Sequence, residues 1–404
     1  MNSSDTTRTH ELRAAAEREL ARGNGILRLA PAWVARDFLP PGRRLGLPSD
    51  AYDVGERGAI CERWLGSTTP ADNRVGPPDE GLSSIDTDGA GPLLLRDVVA
   101  SVPDQVMGAD YAAAHPRGLG RLPKLFDYGA RLPFHLHPPQ RFASLVGRQQ
   151  KDEAYHFLPG IDLGDHPETF LGVQPWIADG PREQVLLPHL QAWDSDLILK
   201  HSTAYLQVPG EGFDVPSGML HGPGTALTLE LQEDSDVSAM FQALNAGSIN
   251  SKDMLFKDVR PQDREADGER FPLGFVDWEV NGDRDLYAHR HLSPRLIESG
   301  DWGRSDWVFY GNPLFTGKRV IVRAGAQTTC AENGVYSLFA WTGSGTWGGQ
   351  SIEGGQPGQD ELLVCDAAAR SSLTVRNTGS TDLTVYLFFG PDLNPDAPAL
   401  GITG

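Results

Sequence analysis

The sequence predicts a mainly β protein with two groups of strands. Three observations predict it. The 46 Gly and 30 Pro are spread along the 404 residues and read as turns between short strands. Turn-rich text such as Pro209-Gly210-Glu211-Gly212 separates the apolar runs. The runs fall into two clusters, one from about Leu122 to residue 245 and one from about Trp307 onward. Many short strands joined by such turns indicate a sandwich or barrel. The chain is also longer than one core usually supports, so two or three domains are expected.

Residues 1–30 read as an N-terminal arm containing one helix over 10–22. Thr9 is placed to cap it, Glu11 lies in its first turn and Arg22 in its last, which suits the helix dipole. From Pro31 to Pro78 the text is broken by Pro and Gly and reads as extended and loop-rich. Residues 92–107 contain a helix that must stop or kink near Pro103. Strands follow at 132–137, 153–158, 168–173, 203–208, 225–231 and 236–244. Residues 246–300 are charged and irregular and read as a linker with some helix. Strands return at 319–323, 335–341, 361–364, 372–376 and 383–389, giving a second small β domain over 301–404.

Hydrophobic residues make up 39% of the chain and charged residues 22%, as in a soluble globular protein. With 35 basic and 54 acidic residues the formal charge is −19. That balance argues against nucleic acid or an anionic membrane as partner, since both need clustered Lys and Arg. Cys61, Cys330 and Cys365 are far apart and form no CxxC, which argues against a disulfide framework or a zinc ribbon. The first 23 residues carry no apolar signal core, and no stretch approaches the roughly 18 apolar residues of a membrane span. A cytoplasmic location is expected.

Two segments carry the chemistry. The first is Phe134-His135-Leu136-His137-Pro138, followed by Lys151-Asp152-Glu153 and then Gly160. The second runs from Gly210 through Val215-Pro216-Ser217-Gly218 to His221. Side chains alternate along a strand, so His135 and His137 share a face. Glu153 opens a neighbouring strand, and a turn shaped by Pro216 and Gly218 delivers His221 from another. Three imidazoles and one carboxylate suit one divalent metal, zinc first, manganese or iron otherwise. These segments look like the two motifs of a cupin, a jelly-roll barrel. The fold expected is therefore a cupin barrel with its core at about 122–245, preceded by a helical and loop-rich N-terminal part. The strands of 301–404 lack an equivalent ligand set and read as a degenerate second cupin.

The chain resembles the type I mannose-6-phosphate isomerases over about residues 35–245. Glu62-Arg63-Trp64-Leu65-Gly66-Ser67 resembles their ERWxxS segment, and Leu93 to Gly108 their helix ending in LLG. Lys124-Leu125-Phe126-Asp127 stands where they have VKxLDA, and Phe134 to Pro138 where they have IQVHP. Lys151 to Tyr155, Phe170-Leu171-Gly172, Val215 to His221, and Leu229 to Gln232 with Ser235-Asp236 match further segments in order. The resemblance implies a metal-dependent interconversion of an aldose and a ketose through an enediol, in a region running from about 31 to 245. It implies His137, Glu153 and His221 as metal ligands, Lys151 as an active-site lysine, and Glu230 and Asp236 as acidic active-site residues.

Two positions depart from that pattern. His135 stands where the family has Gln. Met240 stands where it has an Arg that holds substrate phosphate, which points to an unphosphorylated or otherwise different sugar. Lys252, Lys257 and Arg264 are candidates to replace that Arg. Three His and one Glu are also the ligand set of other cupin enzymes, such as dioxygenases and decarboxylases, and a non-catalytic sugar-binding cupin is the third reading. His289, Arg290 and His291 read as a solvated loop ahead of the alternative that they line a site, His156 as facing away from Glu153, and His189 and His201 as lying near turns, candidates for substrate contact that no spacing rule supports. Trp302, Trp307, Phe309 and Tyr310 read as packing residues.

Overall fold

The computed structural model describes residues 3–87 and 91–401. Strands take up 30% of the chain and helices 24%, with the strands in antiparallel sheets. The chain divides into two compact units. One takes in the N-terminal part up to Val34 with Arg63–Lys124 and Pro294–Ala399. The other takes in Ala35–Glu62 and Leu125–Ser293.

In the first unit, a nine-stranded sheet runs from Arg295–Gly300 through Gly303–Phe309, Thr316–Val322, Leu383–Phe389, Tyr336–Thr342 and Glu361–Val364 to Ile26–Ala30. The short strands Ser84–Ile85 and Leu93–Leu94 complete it. Ile26 pairs with Val364 and Arg28 with Leu362, so residues distant in sequence share one ladder. A four-stranded sheet of Gln327–Cys330, Leu373–Asn377, Ser344–Trp347 and Gln350–Glu353 belongs to the same unit. Their apolar faces enclose one large core that includes Leu338, Trp347, Leu363, Val385 and Leu387. Trp302 packs against this core, and Phe309 and Tyr310 are buried.

In the second unit, Thr203–Leu206, Glu168–Leu171, His221–Gly222, His135–Leu136 and Ala239–Met240 form a five-stranded sheet in that order. A further sheet runs His291–Leu292, Gly212–Val215, Glu153–Phe157, Thr228–Gln232 and on to Leu125 and Phe126. Gly212 is required there. A Cβ at that position would lie 1.7 Å from the Tyr155 carbonyl oxygen, far inside van der Waals contact.

Several expectations need correction. The first helix spans Ser3–Arg22, so Thr9 lies within it and is not its cap. The 92–107 helix is two helices, Leu95–Ser101 and Pro103–Met107, because Val102 leaves helical geometry ahead of Pro103. The extended text of 31–78 contains the strands Ala32–Arg36 and Ala59–Trp64. The strand read over 236–244 shrinks to the pairs Ala239–Met240 and Leu244–Asn245. The segment read as a linker is packed: Leu255, Phe256, Leu273, Phe275 and Val276 are buried in one core cluster with Phe134 and Leu136. Among the described residues no helix is long and apolar enough to cross a membrane.

Candidate metal centre

His135 and His221 face each other across an antiparallel pair. His137 follows two residues after His135, and its carbonyl accepts a hydrogen bond from the Gly218 N–H at 2.8 Å. That bond ties the first motif to the turn of the second. Gly218 adopts φ +82°, and a Cβ there would meet the Phe275 carbonyl oxygen at 3.0 Å and Pro139 at 3.1 Å. Both the left-handed backbone and the crowding call for glycine.

Among the described residues, His135, His137 and His221 are the one group of three or more His, Cys, Asp or Glu whose ligand atoms lie within 4.8 Å of one another. Their ring centroids are 4.0 to 5.3 Å apart. Each Nδ1 sits on a backbone carbonyl: His135 on Pro133 at 2.7 Å, His137 on Val237 at 2.7 Å and His221 on Met219 at 2.8 Å. A carbonyl accepts only, so each Nδ1 carries the proton and each Nε2 presents a lone pair. This is how a protein sets the tautomer of a metal-binding imidazole.

Glu153 completes the arrangement. Its Oε2 lies 3.0 Å from His137 Nε2, and its Oε1 lies 3.1 Å from His221 Nε2. With the ring protons on Nδ1, these are lone pairs facing a carboxylate. His221 Nε2 is buried and makes no hydrogen bond. Converging, buried, electron-rich atoms of this kind are what a cation between them would stabilise. The donor set therefore fits a divalent metal on its own chemistry.

The charges around the centre follow from burial. Burial and the two neighbouring imidazoles hold His135 well below the usual imidazole range. Burial and the Lys151 ammonium bring His137 down to about 4. Burial favours the neutral form of Glu153, but the neighbouring Lys151 ammonium opposes it, and the carboxyl is held well below its usual range. At neutral pH His135 and His137 are thus neutral imidazoles and Glu153 is a carboxylate.

Two of the three residues named for catalysis, Lys151 and Glu230, lie beside this cluster. Lys151 is buried, with Nζ 2.7 Å from Glu153 Oε2 and 3.2 Å from Glu230 Oε1. Glu230 pairs across the ladder with Tyr155, two residues after Glu153, so Glu153, Tyr155 and Glu230 share one face. Asp236 lies farther out, with Oδ2 3.6 Å from Arg36 Nη2, and its carbonyl accepts from Lys257 Nζ at 3.1 Å. Lys151 also feels the charge of Asp236.

Sequence reasoning missed four residues here. Tyr155 donates its hydroxyl to Glu153 Oε1 and so fixes the carboxylate; its i+2 spacing from Glu153 was a usable signal. Arg36 holds Glu62 through Nε at 3.0 Å and Nη2 at 3.1 Å, and Tyr128 donates to the same carboxylate. Asn281 is fully buried and supports the His221 turn. Its Oδ1 accepts from Leu220 N–H at 2.8 Å, and its Nδ2 donates to the Gly218 carbonyl at 2.8 Å.

The other histidines are elsewhere. His156 is buried and outside the cluster, on the opposite face of the Glu153 strand. The solvated-loop reading of 289–291 is corrected: Leu286–Arg290 is a helical turn and His291 begins a strand. Arg290 bonds Asp214 at 2.8 Å and His291 bonds Glu211 at 2.7 Å, because strand pairing with Gly212 and Phe213 brings them together.

No protein-family model matches the chain, and no curated protein matches it significantly. Solved structures do. The mannose 6-phosphate isomerase of Bacillus subtilis superposes with a TM-score of 0.63 at 17% identity, covering 90% of this chain and 99% of that one. The chain has the mannose-6-phosphate isomerase fold. A zinc-bound mannose 6-phosphate isomerase superposes with a TM-score of 0.59 at 12% identity, over 91% of this chain and 100% of its own. A phosphomannose isomerase variant from Salmonella typhimurium gives 0.60 at 12%, over the same shares. At these identities the likeness is one of fold, and mannose-6-phosphate isomerases supply the architecture against which the centre is read.

Proposed function

We propose that the chain is a metal-dependent aldose–ketose isomerase, built on a metal-binding cupin barrel with a degenerate second cupin. His135, His137, Glu153 and His221 hold one divalent ion, zinc in the first instance. The observation that carries this reading is the cluster of three Nδ1-protonated imidazoles, two of them against Glu153, with Lys151 and Glu230 immediately beside it. The likeness to a zinc-bound isomerase supports it.

A divalent ion held by these residues would polarise a sugar carbonyl and stabilise the negative charge that develops on its oxygen. Isomerisation moves a proton between C1 and C2 and between their oxygens. Lys151, a buried cation between two carboxylates, donates hydrogen bonds to sugar oxygens and orients them. A carboxylate must then take the carbon-bound proton, and Glu230 and Asp236 are the two candidates. Tyr155 and the three backbone carbonyls keep the ligand set in place, so none of that geometry must be rebuilt during turnover.

The substrate is an unphosphorylated or otherwise different sugar. Met240 is buried and pairs with His135 in the sheet, where it offers a phosphate no donor. The candidate replacements are engaged: Lys252 with Glu269 at 2.5 Å, Arg264 with Asp253 at 2.9 Å, and Lys257 with the Asp236 carbonyl.

The test is incubation of the zinc-loaded chain with a panel of free and phosphorylated aldoses and ketoses in D₂O, followed by NMR. Deuterium at C1 or C2 together with interconversion supports the proposal and names the sugar. His135 in the ligand set favours one second reading, an oxygen-dependent cupin enzyme; consumption of oxygen by the iron-loaded chain without exchange would select it.

A further inference from the structure

A second pair of imidazoles lies apart from the centre. His189 sits in the last turn of the helix Arg182–Ala192, and His201 ends the 3₁₀ turn Leu197–His201. Their Nε2 atoms are 3.1 Å apart and their ring centroids 5.2 Å apart. Both are partly exposed. Their backbones are fixed: the His189 carbonyl accepts from Trp193 N–H at 3.0 Å and the His201 carbonyl from Gln174 N–H at 2.8 Å.

The spacing has a chemical meaning. Two imidazole nitrogens, each about 2.0–2.1 Å from a zinc ion and separated by a tetrahedral angle, lie about 3.3 Å from each other. The gap between His189 and His201 is close to that bite. Their centroid separation also falls within the 4.0 to 5.3 Å spanned by His135, His137 and His221. The exposed side leaves room for water in the remaining coordination positions. Neither histidine belongs to the centre described above.

We propose that His189 and His201 form a peripheral two-histidine site for a divalent transition-metal ion, zinc first, completed by water. Bound there, the ion staples the end of the helix Arg182–Ala192 to the Leu197–His201 turn and restrains residues 193–196 between them. The site is independent of any isomerase activity.

The test is equilibrium dialysis of the full-length chain against ZnCl₂, with bound zinc counted per chain. His201→Gln keeps a hydrogen-bonding side chain facing His189 and removes the ligand; His189→Ala removes the other ligand. The wild-type chain is expected to bind one zinc ion more than either variant, and the same difference is expected in a His137→Ala background, where the other centre is lost. Zinc should raise the Tm of His137→Ala but not that of His137→Ala/His201→Gln. Equal zinc counts in wild type and both single variants, with unchanged circular dichroism, would overturn the proposal.

Discussion

Replacing Asn281 by Ala removes a side chain that touches no ligand atom, and yet it is expected to weaken metal binding. Asn281 holds the turn that carries His221. Its Oδ1 accepts the buried Leu220 N–H at 2.8 Å, and its Nδ2 donates to the carbonyls of Gly218 at 2.8 Å and Asp277 at 2.6 Å. The two carbonyls keep other donors, Asp277 N–H for Gly218 and Asn281 N–H for Asp277. The Leu220 N–H does not, so the variant leaves one buried donor orphaned at a cost of about 1–3 kcal/mol. Lost bonds to the two carbonyls bring the expected destabilisation to about 2–4 kcal/mol. His221 is the next residue, so its imidazole loses part of its orientation, and metal affinity should fall about 10–100-fold, as when a supporting partner of a metal ligand is removed. Urea unfolding and a competition titration against a zinc chelator measure the two effects. Destabilisation below about 0.5 kcal/mol together with wild-type zinc affinity would refute the reasoning, because the turn would then be held without Asn281.

Two further predictions concern charge. Lys151→Met should lower turnover while leaving zinc bound, read by kinetics and metal content on the same sample; unchanged turnover would remove Lys151 from the mechanism. Glu361 tests burial in the first unit. One guanidinium, Arg63, serves both Asp360, at 2.7 Å from each nitrogen, and Glu361, at 3.0 Å. Burial, opposed by Arg63 and reinforced by Asp360, pushes the Glu361 carboxyl up to about 7. Because its folded pKa lies above its unfolded value, the native state keeps the proton longer. Stability should therefore fall as pH rises from about 4.5 to about 7 and level off above, by an amount on the order of 3 kcal/mol from this group. Glu361→Gln keeps an acceptor for the Gly66 N–H and should flatten that slope in unfolding titrations; an unchanged slope would contradict the assignment.

What the sequence made legible was whatever depends on spacing. The period of two put His135 with His137 and Lys151 with Glu153, and the Pro216-Ser217-Gly218 turn pointed to His221. Alternation also placed His156 on the face away from Glu153. What stayed hidden depends on contacts between segments far apart in the chain. Asn281 lies 60 residues after His221 in a stretch read as linker, because its short helices lack a long apolar period. Arg36 reaches Glu62 and Asp236 from a strand whose flanking Pro and Gly disguised it. Ile26–Ala30 pairs with Glu361–Val364, and no local pattern announces a ladder between residues that distant. Arg290 and His291 looked solvated because their partners, Asp214 and Glu211, come from another strand.

The most direct measurement of the central claim is proton exchange as a function of metal loading. The chain would be stripped with chelator, reloaded with substoichiometric zinc, and assayed for deuterium incorporation into the best sugar of the panel. The account predicts exchange at C1 or C2 proportional to zinc held by His135, His137, Glu153 and His221, and none in His221→Ala. Equal exchange in stripped and loaded chains, or no exchange on any sugar from a fully loaded one, would contradict it.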